Sequence, residues 1–149
     1  MRFQFDYKHY SSEAELSPQD RELVVAAYEA TTQAYAPYSN FRVGAAARLR
    51  SGRIVTGSNQ ESEVFPSGLC AERTLLYAWQ AHNADDAVEA IAIASNPSER
   101  ECYPCGGCRQ VLLDTERRQG VPMRVLMCGG GTVSEVPSAE CLLPFQFKL

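Results

Sequence analysis

The chain has 149 residues, of which 45% are hydrophobic and 21% charged, a composition typical of one soluble globular domain rather than two. Its net charge of −4 argues against a basic surface for nucleic acid. No apolar run approaches the roughly 20 residues that span a bilayer, and the polar N-terminus lacks the features of a secretory signal. We therefore expect a cytoplasmic protein with neither nucleic-acid nor membrane partners.

The first half of the sequence predicts one helix and one hairpin. Phe3, Phe5 and Tyr7 alternate with polar residues, as in a strand. Ser17 and Pro18 are preferred at the N-cap and first position of a helix. The predicted elements are a short strand over 3–7, a helix from 18 to about 35, and strands over 41–49 and 54–59.

The second half alternates helices with strands. Pro104 suits the start of a helix and Gly120 its end. The predicted elements are helices over 70–82 and 104–119, strands over 87–95, 123–128 and 132–136, and a helical turn over 138–145. This order indicates a single layered α/β domain with a mixed sheet, spanning 1–149, in which 1–16 form an N-terminal extension of unknown role.

The six cysteines are expected to be reduced rather than paired in disulfides, so the clustered ones indicate a metal site or catalysis, whereas Cys128 and Cys141 are expected in the core. Cys105 and Cys108 lie one helical turn apart at a predicted helix start, and Cys70 lies at another. Helix N-termini stabilise thiolates. Three converging sulfurs would leave a fourth zinc position open, as in catalytic sites. Cys102 offers an alternative, a closed four-cysteine structural site.

Charged residues beside these cysteines favour a catalytic metal site over a structural one. Three thiolates on Zn²⁺ leave one net negative charge, which Arg73 or Arg109 could temper by hydrogen bonds to sulfur. Glu72 is too close in sequence to Cys70 to be an easy second ligand on a helix. It is better placed to move protons beside a zinc-activated water.

Two motifs, "CAER" at 70–73 and "PCGGCRQ" at 104–110, resemble those of the zinc-dependent cytidine deaminases. Further stretches resemble family motifs in family order: "AYAPYSNFRVGAA", "GSNQES", "GLCAER", "PCGGCRQVLLD" and "LLPFQF". The resemblance covers most of the chain from Ala34 onward. It implies a three-layer fold with helices on both faces of a mixed sheet, and hydrolytic deamination of cytidine or deoxycytidine to the uridine nucleoside and ammonia.

The resemblance also implies roles for individual residues. It makes Cys70, Cys105 and Cys108 the Zn²⁺ ligands and Glu72 the proton shuttle. Supporting roles near the metal fall to Arg73 and Gln110, and substrate contacts to Phe41, Asn59, Glu61, Phe65, Ala71 and Phe147. The three-cysteine relatives are homotetramers with shared active sites, so we expect the same assembly here.

Several alternatives stay open at this point. Without the resemblance, Phe41 would be a strand core residue and Glu61 a solvated loop acid. Ser62 replaces an asparagine common in the family, which bears on how the sugar is held. The same scaffold could carry a blasticidin-type deaminase or one acting on polynucleotides, although the acidic balance disfavours the latter. A different class is a non-catalytic zinc-stabilised interaction domain, which has no need of Glu72.

Overall fold

The structure is a computed structural model that describes all residues, Met1–Leu149. Its elements are β1 Lys8–Tyr10, α1 Pro18–Ala30, β2 Arg42–Leu49, β3 Ile54–Ser58, α2 Ala71–His82, β4 Val88–Asn96, α3 Gly106–Gln119, β5 Arg124–Gly129 and β6 Thr132–Val136. Short 3₁₀ turns lie at Glu13–Glu15, Thr31–Gln33, Phe65–Ser67 and Ala139–Leu142. None of the helices combines the length and the apolar character that crossing a membrane demands.

One mixed sheet of six strands, in the order β1-β6-β5-β4-β2-β3, forms the middle layer. Only β4 and β5 pair in parallel, and α3 makes the crossover between them. Because side chains alternate along a strand, Ile91 and Ile93 of β4 pack with the α2 and α3 core, whereas Ala92 packs beneath α1. Helices therefore cover both faces, which confirms the predicted three-layer α/β architecture.

Most predicted elements are present, and their local signals work as expected. The Ser17 hydroxyl accepts a hydrogen bond from the Asp20 amide and caps α1. Gly120 ends α3 with a left-handed φ of 73°, a conformation that glycine adopts at low cost. Three glycines at 129–131 make the β5–β6 turn, all with positive φ.

Three boundary predictions are wrong. The first strand is Lys8–Tyr10, paired with β6, rather than 3–7. Helix α1 stops at Ala30 and continues only as a 3₁₀ turn to Gln33, short of Tyr35. Helix α3 begins at Gly106, because Cys105 has an extended backbone (φ −67°, ψ 168°) and serves as the N-cap.

A close contact between β3 and α2 fixes the helix that carries Cys70 and Glu72. A Cβ atom on Gly57 would lie only 2.7 Å from the Leu75 amide nitrogen and 2.9 Å from the Ala71 carbonyl oxygen. Both atoms belong to the backbone, which cannot move aside cheaply. Glycine at this position therefore allows the first turn of α2 to rest on the sheet.

Candidate active site

Three cysteine sulfurs converge at the N-termini of two helices. Cys70 is the N-cap of α2, Cys105 is the N-cap of α3, and Cys108 lies in the first turn of α3. Neither N-cap cysteine uses its side chain to cap its own helix. The sulfurs all lie within 4.8 Å of one another, so they are free to bind a common ion.

The spacing and chemistry of these sulfurs fit Zn²⁺. Thiolates prefer zinc among the common divalent ions, at Zn–S distances near 2.3 Å. Two such sulfurs on a tetrahedral ion lie about 3.8 Å apart, and the Cys70 and Cys105 sulfurs are 3.8 Å apart. Three sulfurs leave the fourth position of the tetrahedron without a protein ligand, an arrangement typical of catalytic zinc.

Positive charge at the site stabilises thiolate. Arg73 Nη2 donates to Cys70 Sγ at 3.2 Å, the hydrogen bond that the sequence predicts. The hydrogen bond from Cys108 and then that from Arg73 lower the pKa of the Cys70 thiol to about 5. The pKa of Cys108 is raised, first by that hydrogen bond to Cys70 and then by burial.

Glu72 is the buried acid of the site, with only 3% of its surface exposed. It occupies the first turn of α2, two residues after Cys70. Burial, and then the negative charge of Cys70, raise the pKa of its carboxyl group. A raised pKa suits a group that must both take and give protons near neutral pH.

A cavity of about 480 Å³ opens beside Cys70 and Arg73. Its wall is built by the following residues: Tyr38, Ser39, Asn59, Gln60, Glu61, Ser62, Phe65, Gly68 and Leu69. A volume of this size lies within the range of small-molecule sites. Three of the predicted substrate-binding residues, Asn59, Glu61 and Phe65, therefore lie together at the sulfur cluster.

The Glu61 carboxylate anchors the loop on the opposite wall. It accepts from the Tyr38 amide at 2.9 Å, from the Ser39 amide at 3.1 Å and from the Ser39 hydroxyl at 2.5 Å. These hydrogen bonds, led by that of the Ser39 hydroxyl, lower the pKa of Glu61. A carboxylate has about four acceptor sites, so roughly one remains for a further donor.

The Asn59 side chain is also partly used by its own loop. Its Oδ1 accepts from the Val43 amide at 2.8 Å, and its Nδ2 donates to the Phe41 carbonyl at 2.9 Å. An amide side chain has two N–H donors and two lone pairs. One donor and one acceptor are therefore left to face the cavity.

Other predicted site residues lie outside this cavity. Phe41 lines a neighbouring cavity together with Cys102 and Tyr103. Phe147 is 71% exposed and lines a third cavity, together with Gln110. The Gln110 amide donates to Asp114 at 2.8 Å rather than to a sulfur. Ala71 is fully buried at the first position of α2. The roles assigned to these four residues stay predictions.

Cys102 and Arg109 are not part of the sulfur cluster. Cys102 is absent from the metal-binding group, and burial raises the pKa of its thiol to about 12, which disfavours a thiolate ligand. The closed four-cysteine alternative is therefore not supported. Arg109 donates to the carbonyl oxygens of Pro104 and Leu142. Of the two arginines, therefore, only Arg73 is hydrogen-bonded to a sulfur.

The sequence assigned no role to Tyr38 and Ser39, which lie in the stretch "AYAPYSNFRVGAA". Both line the cavity, and both donate to Glu61. The local signal was present, since proline, serine and asparagine together indicate a turn. Asn40 indeed has a left-handed φ of 56°. The turn faces the cavity because it is held by Glu61, which lies more than twenty residues further along the chain, so local sequence does not predict its orientation.

Comparison with known proteins gives one consistent family. The sequence model of the "Cytidine and deoxycytidylate deaminase zinc-binding region" matches residues 17–123. The cytidine deaminase of Halalkalibacterium halodurans is 38% identical over 96 residues, which cover 64% of this chain and 71% of that relative. A cytidine deaminase of Mycobacterium tuberculosis is 40% identical over 88 residues, 59% of this chain and 65% of that relative.

The fold agrees with the same family. The 1.6 Å crystal structure of cytidine deaminase from Burkholderia pseudomallei superposes with a TM-score of 0.73 and 36% sequence identity. The superposition covers 89% of this chain and 100% of that chain. By sequence match and by fold, the chain belongs to the cytidine and deoxycytidylate deaminase family, whose zinc-binding region it contains.

Proposed function

We propose that the protein is a zinc-dependent cytidine deaminase, which hydrolyses cytidine or deoxycytidine to the corresponding uridine nucleoside and ammonia. The observation that carries the proposal is the convergence of three cysteine sulfurs beside the buried Glu72, at a nucleoside-sized cavity. A purely structural zinc site has no use for a buried acid, so the interaction-domain alternative is disfavoured. The relatives described above are named for cytidine, so a blasticidin-type activity is not favoured either.

In this mechanism Cys70, Cys105 and Cys108 hold the metal and Glu72 moves the protons. When bound, zinc acts as a Lewis acid that makes water nucleophilic near neutral pH. Glu72 would take a proton from the attacking water and deliver it to ring N3, as the water oxygen adds to C4 of the cytosine ring. Glu72 would then take the remaining proton from the C4 hydroxyl and pass it to the exocyclic amino group, so that the C4–N bond breaks, the C4 carbonyl forms and ammonia leaves. The sum is nucleoside plus water giving uridine nucleoside plus ammonia.

Asn59 and Glu61 are proposed to hold the sugar hydroxyls. Each has hydrogen-bonding capacity left after its loop contacts, and both line the cavity next to Cys70. A carboxylate is a strong acceptor for a hydroxyl group. Phe65 forms part of the same wall, packed edge-on against Tyr38 with ring centroids 5.9 Å apart. Phe41 and Ala71 are proposed to meet the pyrimidine, while Arg73 and Gln110 support the metal site.

We further propose a homotetramer in which neighbouring subunits complete the site. Phe65 and Phe147 are strongly exposed in the single chain, and burial of such rings favours association. We infer that 1–149 form one domain, since β1 from the N-terminal extension pairs with β6 in the common sheet. A cytoplasmic location agrees with six unpaired cysteines, as expected in a reducing compartment.

The proposed substrate is tested by a panel of cytidine, deoxycytidine, cytosine, CMP and blasticidin S, with ammonia release as the common readout. The proposal expects the two nucleosides to be turned over at the highest kcat/KM and free cytosine to be far poorer. Equal rates on cytosine and cytidine would refute the sugar contacts. If blasticidin S has a higher kcat/KM than cytidine, the proposed substrate is wrong, although the proposed deamination chemistry stands.

A further inference from the structure

Glu101 lies outside every motif discussed so far, yet its carboxylate joins three separate parts of the chain. Only 7% of its side chain is exposed. The Thr132 hydroxyl donates to Oε1 at 2.7 Å, and the Tyr103 hydroxyl donates to Oε2 at 2.9 Å. His9 Nδ1 lies 3.5 Å from Oε1 and 3.1 Å from the Ser134 hydroxyl.

These contacts link the edge strand β1 and its neighbour β6 to the segment that leads into the metal site. His9 belongs to β1, Thr132 begins β6, and Tyr103 lies two residues before the zinc ligand Cys105. The segment from 97 to 105 has no regular secondary structure. Its position therefore depends on individual contacts rather than on a helix or a strand.

Other contacts also restrain this segment, among them hydrogen bonds to Ser98 from the Gly130 amide at 3.0 Å and with the Tyr28 hydroxyl at 3.1 Å. The Cys102 amide donates to the Cys128 carbonyl at 3.0 Å, and Arg109 donates to the Pro104 carbonyl at 2.9 Å. Glu101 adds the side-chain connection between the segment and the β5–β6 turn. A hydrogen bond to a charged, nearly buried carboxylate is stronger than one between neutral groups, so this connection is a substantial part of the restraint.

We propose that Glu101 is a positioning residue for the metal site, which holds the Tyr103–Cys105 segment against β1 and β6 and thereby fixes the Cys105 sulfur. The proposal rests on the proposed deaminase function, in which Cys105 is a zinc ligand. It also gives the N-terminal extension a role, because β1 supplies one wall of the Glu101 site through His9. Glu101 belongs neither to the sulfur cluster nor to the wall of the cavity beside Cys70.

The test compares zinc-loaded Glu101→Ala with the wild-type protein in two assays: the rate of zinc transfer to a chromogenic chelator, and steady-state kinetics with cytidine. Loss of residues that orient metal ligands typically costs 10- to 100-fold. We expect zinc release about tenfold faster and kcat about tenfold lower. KM should change little, because the sugar cavity is built by other segments. Glu101→Gln should recover most of the loss, since an amide can still accept from Thr132 and bond Tyr103.

Two controls separate positioning from general destabilisation. Glu99→Ala removes an exposed acid two residues away that makes no side-chain hydrogen bond, and should behave as wild type. Asp20→Asn weakens the ion pair to Arg124, with both N···O distances at 2.9 Å, on the opposite face of the sheet. It should lower the unfolding temperature without faster zinc release.

The proposal is overturned if Glu101→Ala releases zinc at the wild-type rate, or if Asp20→Asn accelerates release equally. Should Glu101→Ala fail to fold, Tyr103→Phe decides the matter, because it removes one exposed hydroxyl and should accelerate release in the same direction. Wild-type release from Tyr103→Phe would then overturn the proposal. If release responds to Glu101 but the wild-type protein does not deaminate cytidine, the proposed function fails and the positioning role stands.

Discussion

At the scale of single residues, Glu72 carries the proposed chemistry. Glu72→Gln keeps the size of the side chain and removes the titratable group. We expect the variant to fold and bind zinc. Its kcat should fall by at least the ~10²- to 10⁴-fold that acid–base groups typically contribute, because one carboxylate serves several proton transfers. Metal analysis and cytidine turnover on the same sample check both parts. A variant with kcat within about tenfold of wild type would remove Glu72 from the mechanism.

Glu61 has two roles at the same scale, loop anchor and proposed sugar acceptor, and a pair of variants separates them. Glu61→Ala removes both, and should lower kcat/KM for cytidine by roughly 10- to 100-fold, as expected for an unpaired polar group at ~1–3 kcal/mol. Ser39→Ala removes two loop hydrogen bonds of its hydroxyl, to Glu61 and from the Phe41 amide, but leaves the Glu61 carboxylate in place, and should cost much less. Equal losses in the two variants would mean that Glu61 acts through the loop and not through the sugar.

At the scale of secondary-structure elements, Gly57 tests how the sheet positions α2. A Cβ at Gly57 meets backbone atoms of Ala71 and Leu75, so Gly57→Ala should destabilise the fold by ~1–3 kcal/mol or more. It should also weaken zinc retention, because α2 carries Cys70. Gly106→Ala is the matched control at the start of α3, where no atom lies within 4 Å of the added Cβ. Thermal unfolding and zinc content measure both; equal behaviour of the two variants would contradict this role of Gly57.

The elements also show which parts of the structure could be predicted from the sequence. Ser17, Pro18 and Gly120 mark helix ends through local chemistry, and the Cys105–Cys108 spacing with Cys70 identified the sulfur cluster. The location of β1 could not be predicted, because Lys8–Tyr10 pair with Ser134 and its neighbours far along the chain.

The site shows the same division between local and long-range information. The cysteine spacing predicted a zinc site and the position of Glu72 predicted an acid beside it, because both depend on local features of the helix starts. The anchoring of Tyr38 and Ser39 by Glu61, and the link from Thr132 to Glu101, depend on tertiary contacts between distant segments. Such contacts leave no periodic pattern in the sequence.

At the scale of the whole molecule, the proposed tetramer predicts that assembly and activity are coupled. Light scattering should give a mass near four chains. Phe147→Ser should weaken both assembly and turnover while zinc stays bound, because Phe147 is exposed in the single chain and lies outside the sulfur cluster. Phe3→Ser also removes an exposed ring, but from the N-terminal extension, which contains none of the stretches that resemble family motifs, and should change neither. A fully active monomer at assay concentration would contradict the shared site.

The central claim is that this protein deaminates cytidine and needs zinc to do so. The most direct measurement follows uridine and ammonia formation from cytidine with the purified protein as isolated, after zinc removal by a chelator, and after zinc is restored. We expect equal amounts of uridine and ammonia, loss of activity together with the metal, and recovery with about one Zn²⁺ per chain. Absence of uridine from the zinc-loaded protein, or an unchanged rate after complete zinc removal, would contradict it.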